Sequence, residues 1–509
     1  MIEIDFNCCR QLDLYANEIY ILVYREYTRG NMKELIDALS NVVGTDYVLW
    51  KEPDLLVYEY DGSVDRSLPV IVVLPGCTKH VSDVVKIASQ HGLPVVARGA
   101  GTGLSGGAIA ENGGVVLSMS RMTEIQEVNV SDRYAVVQPG VVNLDLSNHV
   151  SSMGLYYAPD PSSQRACTIG GNVAENSGGP HCLAYGVTTN HVLGMEVVLA
   201  DGSVTWFGGP HRENTGYDLR GITIGSEGTL AIVTSVVVRL LKTPESVKTL
   251  LVVFDNVETA SAAVSGIIGA GIVPAAVEMM DHFCIEAAES AVGAGYPEGA
   301  GAVLLVELDG LEELVEEEAD EIQSICEEFG PMEIRVATDE QERERLWAGR
   351  KGVLGALGRL APNYYLVDGT IPRTKLVDVL RQINELSERS GYRIANLLHA
   401  GDGNLHPSIL FDERKPGDTE NILAIGAEIL RICVDAGGVL SGEHGIGLEK
   451  QNQMPLMFTD QDMAVMALLK VAFETEDSFN PGKVFPTGAA CGDISQARAI
   501  AKVGPGAYI

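Results

Sequence analysis

Three histidines and a glutamate stand in two short glycine-rich stretches near the C-terminal end of this chain. His399 and His406 flank the turn of HAGDGNLHP, and Glu443 and His444 are adjacent in SGEHGIGLEK. The whole chain has only ten histidines. Imidazole nitrogens and a carboxylate form a ligand set suited to Zn²⁺, Fe²⁺ or Mn²⁺, and three protein ligands leave coordination positions open, as catalytic metals require. The same residue types also serve as ordinary hydrogen-bonding side chains, and spacing alone favours that plainer reading.

A second group of signals is made of glycine. GTGLSG, from Gly101 to Gly106, matches G-x-G-x-x-G and follows the strand pattern PVVAR. Between it and the next strand pattern, VVLSMS, there is no room for the crossover helix of a nicotinamide-binding fold, which argues against an NAD-linked enzyme. Successive glycine N–H groups can still converge on phosphate oxygens, although a tight surface turn explains this loop equally well. Two further stretches shift that balance: PDPSSQRACTIGGNVAENSGGPHCLAYG, from Pro159 to Gly186, and GSEGTLAIVT, from Gly225 to Thr234. Long ordered loops are usually functional. Three glycine loops in one region suggest a large, phosphate-bearing cofactor in extended form.

The elements that must carry these residues read as α+β. NMKELIDALSNVVG is amphipathic at helical spacing, and from about Pro69 short valine-rich strands alternate with glycine. From about Thr249 the rhythm becomes strand, helix, strand, as in LLVVF, ETASAAVSGIIGAG and PAAVEMMD. That alternation suits a ferredoxin-like sheet with helices on one face. TKLVDVLRQINELSERSG is a helix ended by Gly391, and it feeds the strand YRIANLLH, which puts His399 at a strand end. Glu443 and His444 follow the short strand VLS.

Composition narrows the function. With 509 residues, two or three domains are expected. The formal net charge of -33 disfavours nucleic acid and anionic lipid as partners. Nine cysteines without a C-x-x-C pair point to reduced thiols and away from an iron–sulfur cluster held by this chain. MIEIDFNCCR lacks the pattern of a signal peptide, and no apolar run reaches the ~18 residues of a spanning helix. A cytoplasmic protein is expected.

Taken together, ARGAGTGLSGGA, YYAPDPSSQRACTIGGNVAENSGG, GSEGTLAIVT, HAGDGNLHP, SGEHGIGLEK and FNPGKVFP resemble the FAD-linked oxidases of the vanillyl-alcohol-oxidase type. The likeness runs from about Leu55 to Pro486. Within the family it is strongest to the FAD-binding D subunits of bacterial glycolate oxidases, with D-lactate and D-2-hydroxyglutarate dehydrogenases as near relatives. The resemblance implies a helical lead-in over 1–64, a two-part PCMH-type FAD-binding domain over 65–245 and a ferredoxin-like cap over 246–435. A C-terminal segment, 436–486, would return to the flavin, followed by a tail, 487–509.

It also implies roles. Arg98, Gly99, Ala100, Gly101, Thr102, Gly103, Leu104, Ser105 and Gly106 would wrap the FAD pyrophosphate. Pro159, Asp160, Thr168, Gly170, Gly171, Asn172, Ala174, Asn176, Gly178 and Gly179 would line the isoalloxazine and ribityl chain, with Pro139 a further contact. Glu227, Gly228 and Ile232 would hold the adenine side, and Asn480 would return near the flavin. The first loop has no histidine, so the FAD should be non-covalent. His399, His406 and Glu443 become the ligands of a divalent metal, zinc by first choice, that clamps a 2-hydroxyacid. His444 becomes the base for its hydroxyl proton, and Arg350 the partner of its carboxylate, ahead of Lys351. Apolar Leu366 and Val367, and Ser408, depart from the D-2-hydroxyglutarate enzymes and favour a small monocarboxylate such as glycolate or D-lactate.

The partners implied are an iron–sulfur subunit and a second flavin-binding subunit, which would bring the chain to the inner membrane. A dehydrogenase acting alone, and a non-catalytic electron-transfer flavoprotein, are the alternatives.

Overall fold

The computed structural model describes residues 32–210, 216–474 and 476–486. Residues 1–31 of the expected lead-in, the whole expected tail (487–509), and Cys8, Cys9 and Cys491 lie outside the described residues. Residues 32–43 are helical, as their apolar spacing predicts.

The first sheet contains β1 (Val48–Leu49), β2 (Ile71–Val73), β3 (Val95–Arg98) and β4 (Val115–Ser118) in the order β1-β2-β4-β3. Its inner strands, IVV and VVLS, are almost wholly apolar because both faces are covered. Ile71, Val73 and Val95 pack on the helix Thr78–Gln90, while Val72, Val96 and Val116 pack on Leu55 and Ala110. One expectation needs correcting here. β3 and β4 do pair in parallel, yet the connection between them contains no helix. The glycine loop is itself the crossover, so the absent helix does not mean an absent parallel pair.

The second sheet is antiparallel: β5 (Ile125–Asn129), β6 (Tyr134–Val137), β7 (Val192–Val198), β8 (Val204–Gly208) and β9 (Ile232–Arg239), in the order β5-β6-β9-β7-β8. The helix Ile169–Glu175 packs on it through Ile169 and Val173, which leaves its glycine-rich side free for a ligand.

The third sheet has eight antiparallel strands: β10 (Ser246–Phe254), β11 (Ala276–Asp281), β12 (Ala302–Gly310), β13 (Glu333–Val336), β14 (Asn363–Leu366), β15 (Gly369–Thr370), β16 (Ile394–His399) and β17 (Asn404–Phe411). The order is β13-β10-β12-β11-β16-β17-β14, with β15 also paired to β17. The sequence predicts helices on one face, but they lie on both. Val257–Gly269, Glu312–Glu327, Leu376–Ser390 and Asp418–Asp435 cover one side, through Leu250, Val252 and Met279 among others. His282–Val292 and Glu340–Leu357 cover the other, through Leu251, Val253 and Met280. The central strands are largely apolar on both faces, and two apolar faces need two helical layers. The second layer brings Arg350 to the site.

Candidate active site

A cavity of about 360 Å³ lies where the two halves of the chain meet. Its long wall is glycine and small side chains. Of the expected cofactor residues, Arg98, Gly99, Ala100, Gly101, Thr102, Gly103, Leu104, Pro139, Thr168, Gly170, Gly171, Asn172, Ala174, Glu227 and Gly228 line it. His406, Glu443, His444, Arg350 and Lys351 line the same cavity, with Leu354, Leu366 and Leu397 as apolar lining.

The remaining expected contacts stand behind this wall. Ser105 donates to the His444 carbonyl at 2.9 Å, and its own carbonyl accepts from the Leu448 N–H at 2.8 Å, tying the first loop to the C-terminal segment. A Cβ on Gly106 would meet Leu448 at 3.1 Å. Asn480, buried, donates through Nδ2 to the carbonyls of Gly107 (2.8 Å) and Glu227 (2.7 Å). The Pro159 carbonyl accepts from Asn143, Asn176 ends the helix Ile169–Glu175 in the left-handed region, and Ile232 is core. Asp160 pairs with His181 at 2.9 Å and lies 3.5 Å from Lys351. Gly178 and Gly179 line a smaller cavity of about 130 Å³ with His399. A Cβ on Gly178 would sit 2.8 Å from Glu443 Oε2, so only glycine lets that carboxylate stand where it does.

His399 and His406 are a diagonal pair on the hairpin β16–β17. His399 faces Asn404 across the ladder and His406 faces Leu397, which brings side chains two residues apart in register onto one face. Their Nε2 atoms lie 3.3 and 3.0 Å from the same oxygen, Oε1 of Glu443. Ligand atoms about 2.0–2.2 Å from a tetrahedral ion are separated by roughly 3.3–3.6 Å, so this spacing fits a metal with little rearrangement. Burial opposes a charge on Glu443, but the hydrogen bonds from His399 and His406 outweigh it and hold the carboxyl well below its ordinary pKa. An ionised carboxylate is the form a metal takes up.

Two residues that the motifs did not reveal brace this set. Glu278, buried on β11, lies opposite His399 in the ladder and holds its Nδ1 at 2.8 Å, leaving Nε2 to face Glu443. Carboxylates behind ligating histidines fix tautomer and orientation in this way. Asp368, also buried, accepts at one oxygen from Ser441 Oγ (2.7 Å) and the N–H groups of Gly442 (3.0 Å), Glu443 (3.2 Å) and His444 (3.0 Å). It thereby shapes the turn that presents Glu443. Asp368, His406 and His444 form a second close group of donor atoms, but with Asp368 committed to the turn it supports the first.

His444 stacks on His406, with centroids 5.0 Å apart and planes 8° from parallel. Burial is the main cause that lowers its pKa, to about 4, against the opposing pull of Asp368. Neutral imidazole is the form a general base needs. Arg350, on the helix Glu340–Leu357, points inward. It is buried, ion-paired with Glu278, and 3.5 Å from His399 Nδ1. Lys351, ranked below it, also faces the cavity and is more exposed. Among the described residues no helix is long and apolar enough to cross a membrane, and six cysteines are free.

Comparison with known proteins agrees with this geometry. Residues 69–208 match the FAD binding domain model, and residues 243–484 match that of FAD linked oxidases, C-terminal domain. Glycolate oxidase subunit GlcD of Escherichia coli K12 is 47% identical, covering 93% of this chain and 96% of that protein. GlcD of Bacillus subtilis is 39% identical, over 90% and 98%. D-lactate dehydrogenase of Archaeoglobus fulgidus is 34% identical, over 88% and 98%. Among solved structures, p-cresol methylhydroxylase aligns with a TM-score of 0.75 at 17% identity, covering 90% of this chain and 97% of that one. 4-Ethylphenol oxidase from Gulosibacter chungangensis aligns at 0.71 and 19% identity, covering 90% and 98%. These two share the fold, whose cofactor half is of the PCMH type. From relatives of nearly full length and from matches in both halves, this chain belongs to the FAD-linked oxidases, a family of flavoprotein oxidoreductases.

Proposed function

We propose that this chain is the catalytic subunit of an enzyme that oxidises glycolate, or D-lactate, to the 2-oxoacid. One observation carries the reading: His406, Glu443, His444 and Arg350 share a single cavity with three glycine loops. FAD bound there, non-covalently, supplies the hydride acceptor. A divalent ion held by His399, His406 and Glu443, zinc by first choice, supplies a Lewis acid for the substrate hydroxyl.

The chain's own residues divide the remaining work. His444, neutral and on the cavity wall, takes the hydroxyl proton as hydride leaves the α-carbon. Arg350 and Lys351 offer the cavity N–H donors for a carboxylate substrate. Leu354, Leu366 and Leu397 keep water from the reacting centre and offer nothing to a second carboxylate. That favours a monocarboxylate over D-2-hydroxyglutarate. The GlcD relatives are named as subunits, which supports a complex, and we infer that an iron–sulfur subunit and a second flavin-binding subunit take the electrons.

The test is anaerobic bleaching of the flavin by glycolate, D- and L-lactate, D-2-hydroxyglutarate and D-malate. Bleaching by glycolate or D-lactate is expected. A flavin that none of the acids bleaches would make the chain an electron-transfer subunit. The isolated chain should reduce artificial dyes, react slowly with oxygen and ignore NAD. Peroxide production as fast as flavin reduction would make it a self-sufficient oxidase.

A further inference from the structure

Glu175 closes the helix Ile169–Glu175, whose first turn lays Gly170 and Gly171 on the cavity. Glu175 lines that same cavity. A Cβ on Gly107 would lie 2.6 Å from Oε1, and one on Gly445 would lie 2.4 Å from Oε2. The carboxyl is therefore wedged between the first glycine loop and the turn that follows His444. Oε2 is buried and has no hydrogen-bond partner in the protein. A buried polar atom without a partner is costly, and such atoms commonly mark where a ligand or water belongs.

A second carboxyl shares this corner. The Gly445 Cβ would also lie 2.9 Å from Glu227 Oε1. Glu227 spends both oxygens on backbone N–H groups, those of Ile446 and Gly447, each at 2.7 Å. Burial raises the Glu227 pKa as well, but accepting two N–H donors favours its carboxylate form. Two like charges this close in a dry site cannot both be held cheaply, which favours keeping one proton on the pair. Asp61 adds a third acid nearby. The neighbouring cations have other partners: Lys450 donates to the Gly445 carbonyl (3.0 Å) and to Asp368 (3.4 Å), and Lys483 donates to the Ile109 carbonyl (2.7 Å). Burial first, and Glu227 second, push the Glu175 pKa well above its ordinary value.

We propose that Glu175 is a neutral carboxylic acid that donates its O–H to a carbonyl or ring-nitrogen acceptor of the bound flavin's isoalloxazine. Its place beside the turn of His444 puts it at the ring end of the cavity. The donor stabilises the electron-rich reduced ring more than the oxidised one, and so raises the reduction potential. This rests on the reading that the cavity holds FAD.

Full-length apoprotein of wild type, Glu175→Gln and Glu175→Leu would be titrated with FAD, and the flavin spectrum and midpoint potential recorded. The glutamine amide keeps a donor, so its Kd should stay within about three-fold of wild type. The leucine variant loses the donor and should bind FAD about ten-fold more weakly, with a shifted visible band and a lower potential. An infrared difference between wild type and Glu175→Gln should show a protonated carboxyl at neutral pH. Wild-type Kd, spectrum and potential in Glu175→Leu would overturn the proposal. A weaker Kd with unmoved spectrum and potential would overturn the contact with the ring. Where the leucine variant fails to fold, the infrared comparison decides: no protonated-carboxyl band means an ionised Glu175 and no donor. A wild type that takes up no FAD would instead bring down the cofactor reading itself.

Discussion

Replacing Glu278 by glutamine separates what holds the proposed metal site from what merely fills the core. Glu278 does two things at once: it accepts from His399 Nδ1 at 2.8 Å, and it neutralises Arg350. Both charged side chains are almost wholly inaccessible, with 1% of Arg350 and none of Glu278 exposed. Glutamine keeps a carbonyl for the imidazole N–H but leaves the guanidinium as a buried, uncompensated charge. Breaking such a pair on one side costs about 3–5 kcal/mol. Losing the carboxylate behind a ligating histidine typically costs about 10–100-fold in metal affinity, and the retained carbonyl places Glu278→Gln near the lower end. The double variant Glu278→Gln/Arg350→Met removes both charges, so it should regain most of the stability and none of the metal affinity. Thermal midpoints of the apoprotein, metal titration against a competing chelator, and flavin content measure the three effects apart. If the double variant recovers metal affinity along with stability, Glu278 acts only by neutralising Arg350, and its bracing of His399 is wrong. If the single variant changes neither quantity, the whole assignment fails.

Three other outcomes follow from the same geometry. His399→Ala and His406→Ala should lose the metal, measured by elemental analysis, while keeping FAD and its spectrum; loss of both together would mean that these loops serve cofactor packing. His444→Asn should slow anaerobic flavin reduction by about 10²–10⁴-fold with little change in substrate Kd, and undiminished reduction would remove His444 as base. The third concerns pH. His181 lies between Asp160 (2.9 Å) and Glu307 (3.2 Å); burial opposes its charge, but the two carboxylates outweigh it and push its pKa up to about 10. A raised pKa means stability that is fully present below the unfolded value of about 6.5 and lost as pH rises through about 10. Thermal midpoints of His181→Gln should therefore fall most below pH 6.5 and converge on wild type above pH 10; a difference that does not change with pH would contradict the argument.

The sequence makes some of this site legible and hides the rest for a definite reason. Local geometry is readable. A hairpin with glycines at its turn forces His399 and His406 onto one face, and Gly391, with φ of 77°, stops the helix that precedes it. Three glycine loops announce a bound phosphate because only backbone can approach one so closely. What spacing cannot show is which group arrives from far along the chain. Glu278 meets His399 across 121 residues, and Asp368 gathers the turn at 441–444 from more than 70 residues away. The helix Glu340–Leu357 crosses to the sheet's second face, and that alone turns Arg350 inward. Yet each brace leaves one mark. PAAVEMMD and GAVLLVELD place Glu278 and Glu307 within apolar strand runs, and YYLVDGTIP places Asp368 just after one. A carboxylate there is expensive unless something charged or hydrogen-bonding meets it. In this fold all three are met: Glu278 by Arg350 and His399, Asp368 by the turn at 441–444, Glu307 by Arg343, Trp347 and His181. An acid that interrupts or follows a buried strand thus locates the brace, though not its partner. The partner is fixed by strand order, and strand order departs from chain order at four of the six steps of the third sheet.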